Sequence, residues 1–411
     1  MSLNGRTGVL IPSSSVSDVP NSLLSKRQMR AMASRNQIVQ LNATNGASQN
    51  DSGVVSFQVG CGSGQGYMKA GSAYIQFEFT PTLSAGAADF IGNSASASAV
   101  IRSLNVNIGG LQVEMVNDYN QYARIINAHA TNANFQERDC SITEKGTSMA
   151  SATTYTFCIP ICSGLLQQEN HLPLWLLNSQ LQIQLNLASA AEALYVTGGT
   201  ATSFTLANPQ LIYEKIYVDA EFENAVRAKL AQGGLYELPF YSAMSYRSNS
   251  TNGNTFSQNI GVNLTSLSAC LWSHIEATEV ADSTKKKAFI TNNSNLRAAS
   301  DRIVRVDGSQ LVQHQVYDKT TSFMELQRAV GSINDVGQTT VATASNWTTE
   351  YFTNGQSAER FSDADLTMRG RACNNLVVEE KGINGNSVVF MYLIYCGVLI
   401  ISGDGSAVVS K

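Results

Sequence analysis

Four histidines, His129, His171, His274 and His314, are all the imidazole that this 411-residue sequence contains. None stands in an HExxH unit or at another spacing that sets two ring nitrogens on one metal ion. Seven cysteines, Cys61, Cys140, Cys158, Cys162, Cys270, Cys373 and Cys396, form an odd set without a CxxC pair. That pattern points to buried free thiols, not to a disulfide framework or a zinc site. The GxSxG nucleophile elbow is absent. Residues 60–66 are glycine-rich but lack the GK[ST] of a phosphate loop. They precede a strand pattern instead of a helix, so they read as a plain loop. Glu379-Glu380 and Asp363/Asp365 offer the carboxylates a glycosidase dyad uses, but closeness in sequence sets no pair across a cleft. Trp347 and Tyr351 are aromatic faces on which a sugar could stack in an exposed loop. Sequons at Asn249, Asn263 and Asn346 follow from a composition rich in Asn, Ser and Thr. These readings leave no catalytic residue, no cofactor site and no metal site to name.

Charge is more telling. Charged residues are only 14% of the chain, against roughly 25% in an average globular protein. With 43% hydrophobic residues a packed core is expected, under a surface of amides, hydroxyls and small side chains. Such a surface can be buried against neighbours without stranding many charges. The net charge of −4 argues against a sequence-specific nucleic-acid binder. Residues 1–50 hold Arg6, Lys26, Arg27, Arg30 and Arg35 against Asp18 alone, so the rest of the chain carries a net −8. A basic arm on a mildly acidic body is the pattern, and Lys26, Arg27, Arg30 and Arg35 are its candidate contact residues. Residues 23–32 would form its short helix, and residues 42–53 a polar loop. No apolar stretch follows Met1, so no signal peptide is expected.

The elements that carry these residues are mostly strands. Residues 181–187 (Leu-Gln-Ile-Gln-Leu-Asn-Leu) alternate aliphatic and amide, which predicts one buried face. Residues 104–108 and 111–115 alternate around Gly109-Gly110, a hairpin signature. Residues 73–79 form a strand pattern expected to end at Pro81. Residues 388–401 run 14 positions without a charge. A spanning helix needs about 20, and the Val, Ile, Tyr and Phe content suits a strand buried on both faces. Helical spacing occurs at 117–129, capped by Asn117 or Asp118, and at 219–232, with Asp219 as cap and Gly233-Gly234 as stop. A strand, a glycine turn, a strand, a tyrosine and a helix recur at nearly constant offset, Gly109 against Gly308 and Tyr119 against Tyr317. The long period suggests a duplicated domain. The expected organisation is an arm over 1–50, a first β-sandwich over 51–218, a linker helix over 219–234 and a second sandwich over 235–411.

One stretch goes further. Phe157-Cys-Ile-Pro160-Ile-Cys-Ser163-Gly164-Leu-Leu166, then His171-Leu-Pro173-Leu-Trp-Leu-Leu177, then the alternating strand 181–187, resemble the double jelly-roll major capsid proteins. That lineage spans tectivirus-like and adenovirus-like viruses, virophages and polinton-like viruses. The resemblance covers residues 73–232 and reaches the second half through the duplication. It implies an all-β fold of two jelly-roll sandwiches side by side, with few short helices. It further implies homotrimeric, pseudo-hexagonal capsomers of an icosahedral dsDNA-type virus. The implied partners are neighbouring capsomers, penton and minor capsid proteins, and in some members the lipid of an internal membrane. On this resemblance the chain resides in the virion and the arm lies at the inner side of the capsid. The competing expectations are a trimeric viral spike or a carbohydrate-binding β-sandwich protein using Trp347 and Tyr351, and a β-sandwich hydrolase using Glu379 and Asp363.

Overall fold

The computed structural model describes residues 34–91, 96–129, 148–168, 170–251, 255–289, 302–311, 319–331, 342, 347, 351–358, 370–381 and 385–411. Strands dominate, in two units joined by the helix Ala220–Ala231. Asp219 caps that helix by accepting from the Glu221 N–H, and Gly233 leaves it in the left-handed region.

The first unit sets a seven-stranded sheet against a four-stranded one, with a small three-stranded sheet beside them. Leu181–Leu187 lies between Val54–Val59 and Ile101–Ile108 and alternates buried and half-buried along its whole length. Its aliphatic face meets Phe57 and Val106 in register at Ile183. Opposite them, Ile75, Phe77 and Phe79 of Tyr74–Leu83 point into the same core. Phe79 centres a group of rings, 5.2 Å from Phe204, 5.4 Å from Phe90 and 6.1 Å from Phe157, in tilted or edge-on pairs. An aspartate at 183 would bury a charge among these groups, at a cost of roughly 4 kcal/mol or more. Ile183→Asp is therefore expected to unfold the first unit in a denaturant titration, while Gln182→Asp, on the half-buried face, shifts the midpoint little. Equal effects would contradict this face assignment.

The hairpin forms as its glycines dictate. Ile101–Ile108 and Leu111–Asn117 pair across Gly109 and Gly110, whose φ values of 56° and 87° suit a tight hairpin turn. The second unit repeats the plan. Arg302–Val306 turns at Asp307 and Gly308, both at positive φ, into Ser309–Gln310, and the helix Lys319–Ala329 follows. In the first unit the matching helix is Tyr119–His129, where the Asp118 carbonyl accepts from the Gln121 and Tyr122 N–H groups and the Asn120 side chain also accepts from Gln121 N–H at 2.9 Å. Tyr317 lies outside the described residues.

Two boundaries differ from expectation. Tyr74–Leu83 continues through Pro81, which faces Phe204. Its other neighbour, Tyr155–Pro160, stops pairing at Phe79, so Pro81 sits where one flank makes no ladder and a missing N–H costs nothing. The arm is shorter than residues 1–50. Ser34–Asn42 pairs residue for residue with the far end of Ala201–Val218, and Ser48–Asn50 pairs with the same strand at 205–207. Residues 34–50 thus belong to the first sheet, and Arg35 is a strand residue with its guanidinium over the Tyr217 ring at 4.8 Å. Three aliphatic residues in nine hid this strand; main-chain pairing holds it, with Val39 and Leu41 half-buried against the core.

The second unit is an eight-stranded sheet bent on itself. Phe256–Glu276 pairs first with Arg371–Glu380, then with Thr353–Ser357 and Ser387–Ile401, and shifts register near 261–267 where it passes from one layer to the other. Ser387–Ile401 lies between this strand and Tyr236–Ser250. Val389, Met391, Leu393 and Tyr395 face the core of the second unit. Val388, Phe390 and Tyr392 face a cluster continuous with the core of the first. The uncharged run is explained by two cores, one on each side of one strand. Among the described residues no helix is long and apolar enough to cross a membrane.

Candidate functional site: a sealed seam and the surfaces it positions

The groups capable of chemistry are mostly spent on structure. Glu379 and Glu380 are successive strand residues, so they point to opposite faces and cannot act as a dyad. Glu379 pairs with Arg305 at 2.8 Å. Glu380 is buried and accepts from Trp272 Nε1 at 3.0 Å and Asn354 Nδ2 at 3.3 Å, with Arg302 Nε at 3.7 Å. His274 bridges it to Ser387: Nε2 is 3.1 Å from the Glu380 carboxylate and Nδ1 is 3.1 Å from Ser387 Oγ. Burial pushes the Glu380 carboxyl up, but His274, Arg302 and Trp272 outweigh it and hold the group well below the usual range. Serine, histidine and glutamate in line are the parts of a hydrolase relay. Here both His274 and Ser387 are 1% exposed, so no substrate carbonyl reaches the hydroxyl. Sequence reasoning missed this network, because its members come from five strands joined by long-range register. Asp363 lies outside the described residues.

Trp347 and Tyr351 are not platforms for sugars. Both are buried: the Trp347 ring packs between Phe323 and Phe352 and donates its N–H to the Thr353 carbonyl at 3.0 Å. His129 is buried against the Tyr351 carbonyl at 3.0 Å, and His171 Nδ1 accepts from the Ala70 N–H at 3.2 Å. His314 and Cys140 lie outside the described residues. Cys270, Cys373 and Cys396 are buried, Cys61 and Cys162 half-buried; Cys158 departs from the expectation and is exposed. It sits on Tyr155–Pro160 at a position that alternation turns outward. Among the described residues no three His, Cys, Asp or Glu side chains gather as a metal site. Gly66 shows what the glycine-rich loop is for. At φ 65°, a Cβ there would stand 2.4 Å from the Ile216 carbonyl oxygen, so the loop is pressed onto a strand.

The most developed polar site is the seam between the two units. Glu114, from the first hairpin, is fully buried. It accepts from Ser163 Oγ, from the Gly164 N–H at 2.9 Å and the Leu165 N–H at 3.4 Å, and from Ser242 Oγ of the second unit at 2.8 Å. Burial pushes its carboxyl above the usual range, and those four donors oppose the shift. Ser163 also caps the short helix Gly164–Gln167. Nearby, Tyr392 donates to the Asp118 carbonyl at 2.8 Å and Arg247 approaches the Asp118 carboxylate at 4.0 Å.

Along the same seam Arg124 donates to the Lys287 carbonyl at 2.7 Å and stacks over Phe289, 3.8 Å from its centroid. Lys287 Nζ reaches back to the carbonyls of Ala191 and Leu194. Burial brings Arg124 down to about 9, Lys287 to about 8 and His129 to about 4. Main-chain bonds from Val196 to Ser283 and from Asn178 to Gly405 close the ends. Bonds of this kind hold the two units against each other. Of the arm residues, Arg35 is in the sheet; Lys26, Arg27 and Arg30 lie outside the described residues.

Two β-sandwich units sealed along one seam share the double jelly-roll fold seen in solved structures of viral major capsid proteins. The solved structures that share it bear such names. PBCV-1 VP54, as fitted into a reconstruction of the virophage Sputnik, superposes with a TM-score of 0.65 at 13% identity, over 94% of this chain and 99% of that one. The Faustovirus major capsid protein gives 0.64 at 7% identity, over 92% of each chain. The mavirus major capsid protein gives 0.55 at 10%, over 100% of this chain and 96% of its own. No family model and no curated protein sequence matches.

Proposed function

We propose that this chain is the major capsid subunit of an icosahedral, dsDNA-type virus, resident in the virion. Three copies form a pseudo-hexagonal capsomer that meets neighbouring capsomers, penton and minor capsid proteins. The observation that carries this reading is the seam. It makes two similar sandwiches one rigid block, and three such blocks present six similar edges to a hexagonal lattice. The likeness in fold over nearly the whole chain supports it. So does a surface poor in charge, suited to broad, wet contacts. The role is structural, with the Ser387–His274–Glu380 relay serving as an internal strut. The role proposed for Lys26, Arg27 and Arg30 is contact with acidic headgroups of an enclosed membrane or with adjacent subunits.

Negative-stain electron microscopy of the purified chain tests this directly. Squat pseudo-hexagonal trimers are the expected class averages. Slender trimers with knobs would make the protein a spike, and persistent monomers would remove the capsomer reading. Removing residues 1–33, short of the first strand, should leave those trimers intact and abolish co-sedimentation with anionic vesicles. Unchanged vesicle binding would clear the arm of that role.

A further inference from the structure

The strand Ser34–Asn42 is the outermost of its sheet: it pairs with Ala201–Val218 on one side, and among the described residues nothing pairs with the other. Nine residues run in unbroken register. Proteins ordinarily guard such an edge with a lysine, a proline, a bulge or an inward charge, because bare N–H and C=O groups template another strand. This edge has none of those guards; Arg35 is its one charge. Its polar side chains are engaged with the strand already paired. Asn36 donates to Glu214 at 2.7 Å, Gln40 donates to Gln210, and Gln37 accepts from Tyr217. Ile38, at the centre, is 72% exposed, the most exposed large hydrophobic residue among those described.

We infer that this edge pairs with the same edge of a second copy, antiparallel and about a two-fold axis at Ile38. The inference deepens the capsid reading and rests on it, since adjacent capsomers in a shell face each other across local two-folds. The sequence is self-complementary in this register. Ile38 opposes Ile38 of the second copy, Asn36 opposes Gln40, and Gln37 opposes Val39. Arg35 opposes Leu41, and the two arginines stand six residues apart along the ladder. That is about 20 Å at the rise of a strand, beyond the roughly 8 Å screening length at physiological salt. The pairing satisfies a row of main-chain groups, covers the bare isoleucine and opposes no like charges. A few main-chain bonds form a weak contact singly and a strong one when repeated across a shell.

Cysteine cross-linking of the full chain in a Cys158→Ser background tests the register. Under mild oxidation Ile38→Cys should shift the 44.2 kDa band to twice its mass on a non-reducing gel. Asn36→Cys alone and Gln40→Cys alone should stay single, and a mixture of those two should cross-link. A single band for Ile38→Cys overturns the pairing, as does a mixture that stays single or efficient cross-linking by Asn36→Cys alone. Micrographs of the same samples report separately on capsomers. Trimers without the Ile38 cross-link would sink this contact and spare the capsid reading; a cross-link without trimers would do the reverse.

Discussion

Replacing Glu114 with alanine should unfasten the two units. The change leaves two main-chain donors, Gly164 and Leu165, and two hydroxyls, Ser163 and Ser242, facing an apolar hole. Hydroxyls can turn to other acceptors, but main-chain N–H groups cannot. Each stranded donor costs about 1–3 kcal/mol. The expected loss is roughly 3–5 kcal/mol, the scale seen when one partner of a buried charged network is removed. Glu114→Gln keeps one acceptor oxygen and turns an amide N–H₂ on donors, so it should fall between wild type and alanine. Denaturant midpoints of the full chain give the ordering, and protease cutting at the helix Ala220–Ala231 shows whether the units have come apart. An alanine variant as stable as wild type would mean that the seam is held by its apolar contacts and its other polar bonds without Glu114.

The second large effect is steric. A Cβ on Gly164 would stand 1.5 Å from the Tyr241 carbonyl oxygen and 2.5 Å from its carbon, both main-chain atoms of the other unit. Alanine is the better helix former by about 1 kcal/mol, and Gly164 opens a helix, so local propensity predicts a gain. Gly164→Ala should nevertheless destabilise by several kcal/mol, because one of two main chains must retreat by more than an ångström. Gly261→Ala is the control: nothing lies within 4 Å of its added Cβ and its φ is ordinary. If both variants behave alike, the two units do not approach as closely at Gly164 as described.

These two positions show how much was legible beforehand. Ser163 and Gly164 stand in the stretch on which the resemblance rests, and the structure supplies their physics: one caps a helix and binds Glu114, the other admits a neighbouring main chain. The face of Leu181–Leu187, the turn at Gly109-Gly110 and the burial of residues 388–401 were readable because each is a local period or a local φ requirement. Ser34–Asn42 was not, since its partners begin some 170 residues later and its own composition is amide-rich. The burial of Trp347 and Tyr351, and the Glu380 network, also depend on which distant segments fold over them. Composition is silent on that.

The double duty of Ser387–Ile401 bears on how the chain comes to be folded. This strand follows the segments it pairs with at long range in sequence, and one of its faces completes the second core while the other closes the cluster shared with the first. Most of its pairings span more than a hundred residues. Such closures are slow, and until they happen an apolar wall of each sandwich stays open to solvent. A chain in which this strand has not closed therefore exposes apolar surface and lacks the rigid block that the proposed capsid role requires. For the proposed capsid subunit, closure by this one strand is thus the event that separates a block fit for a lattice from one that is not.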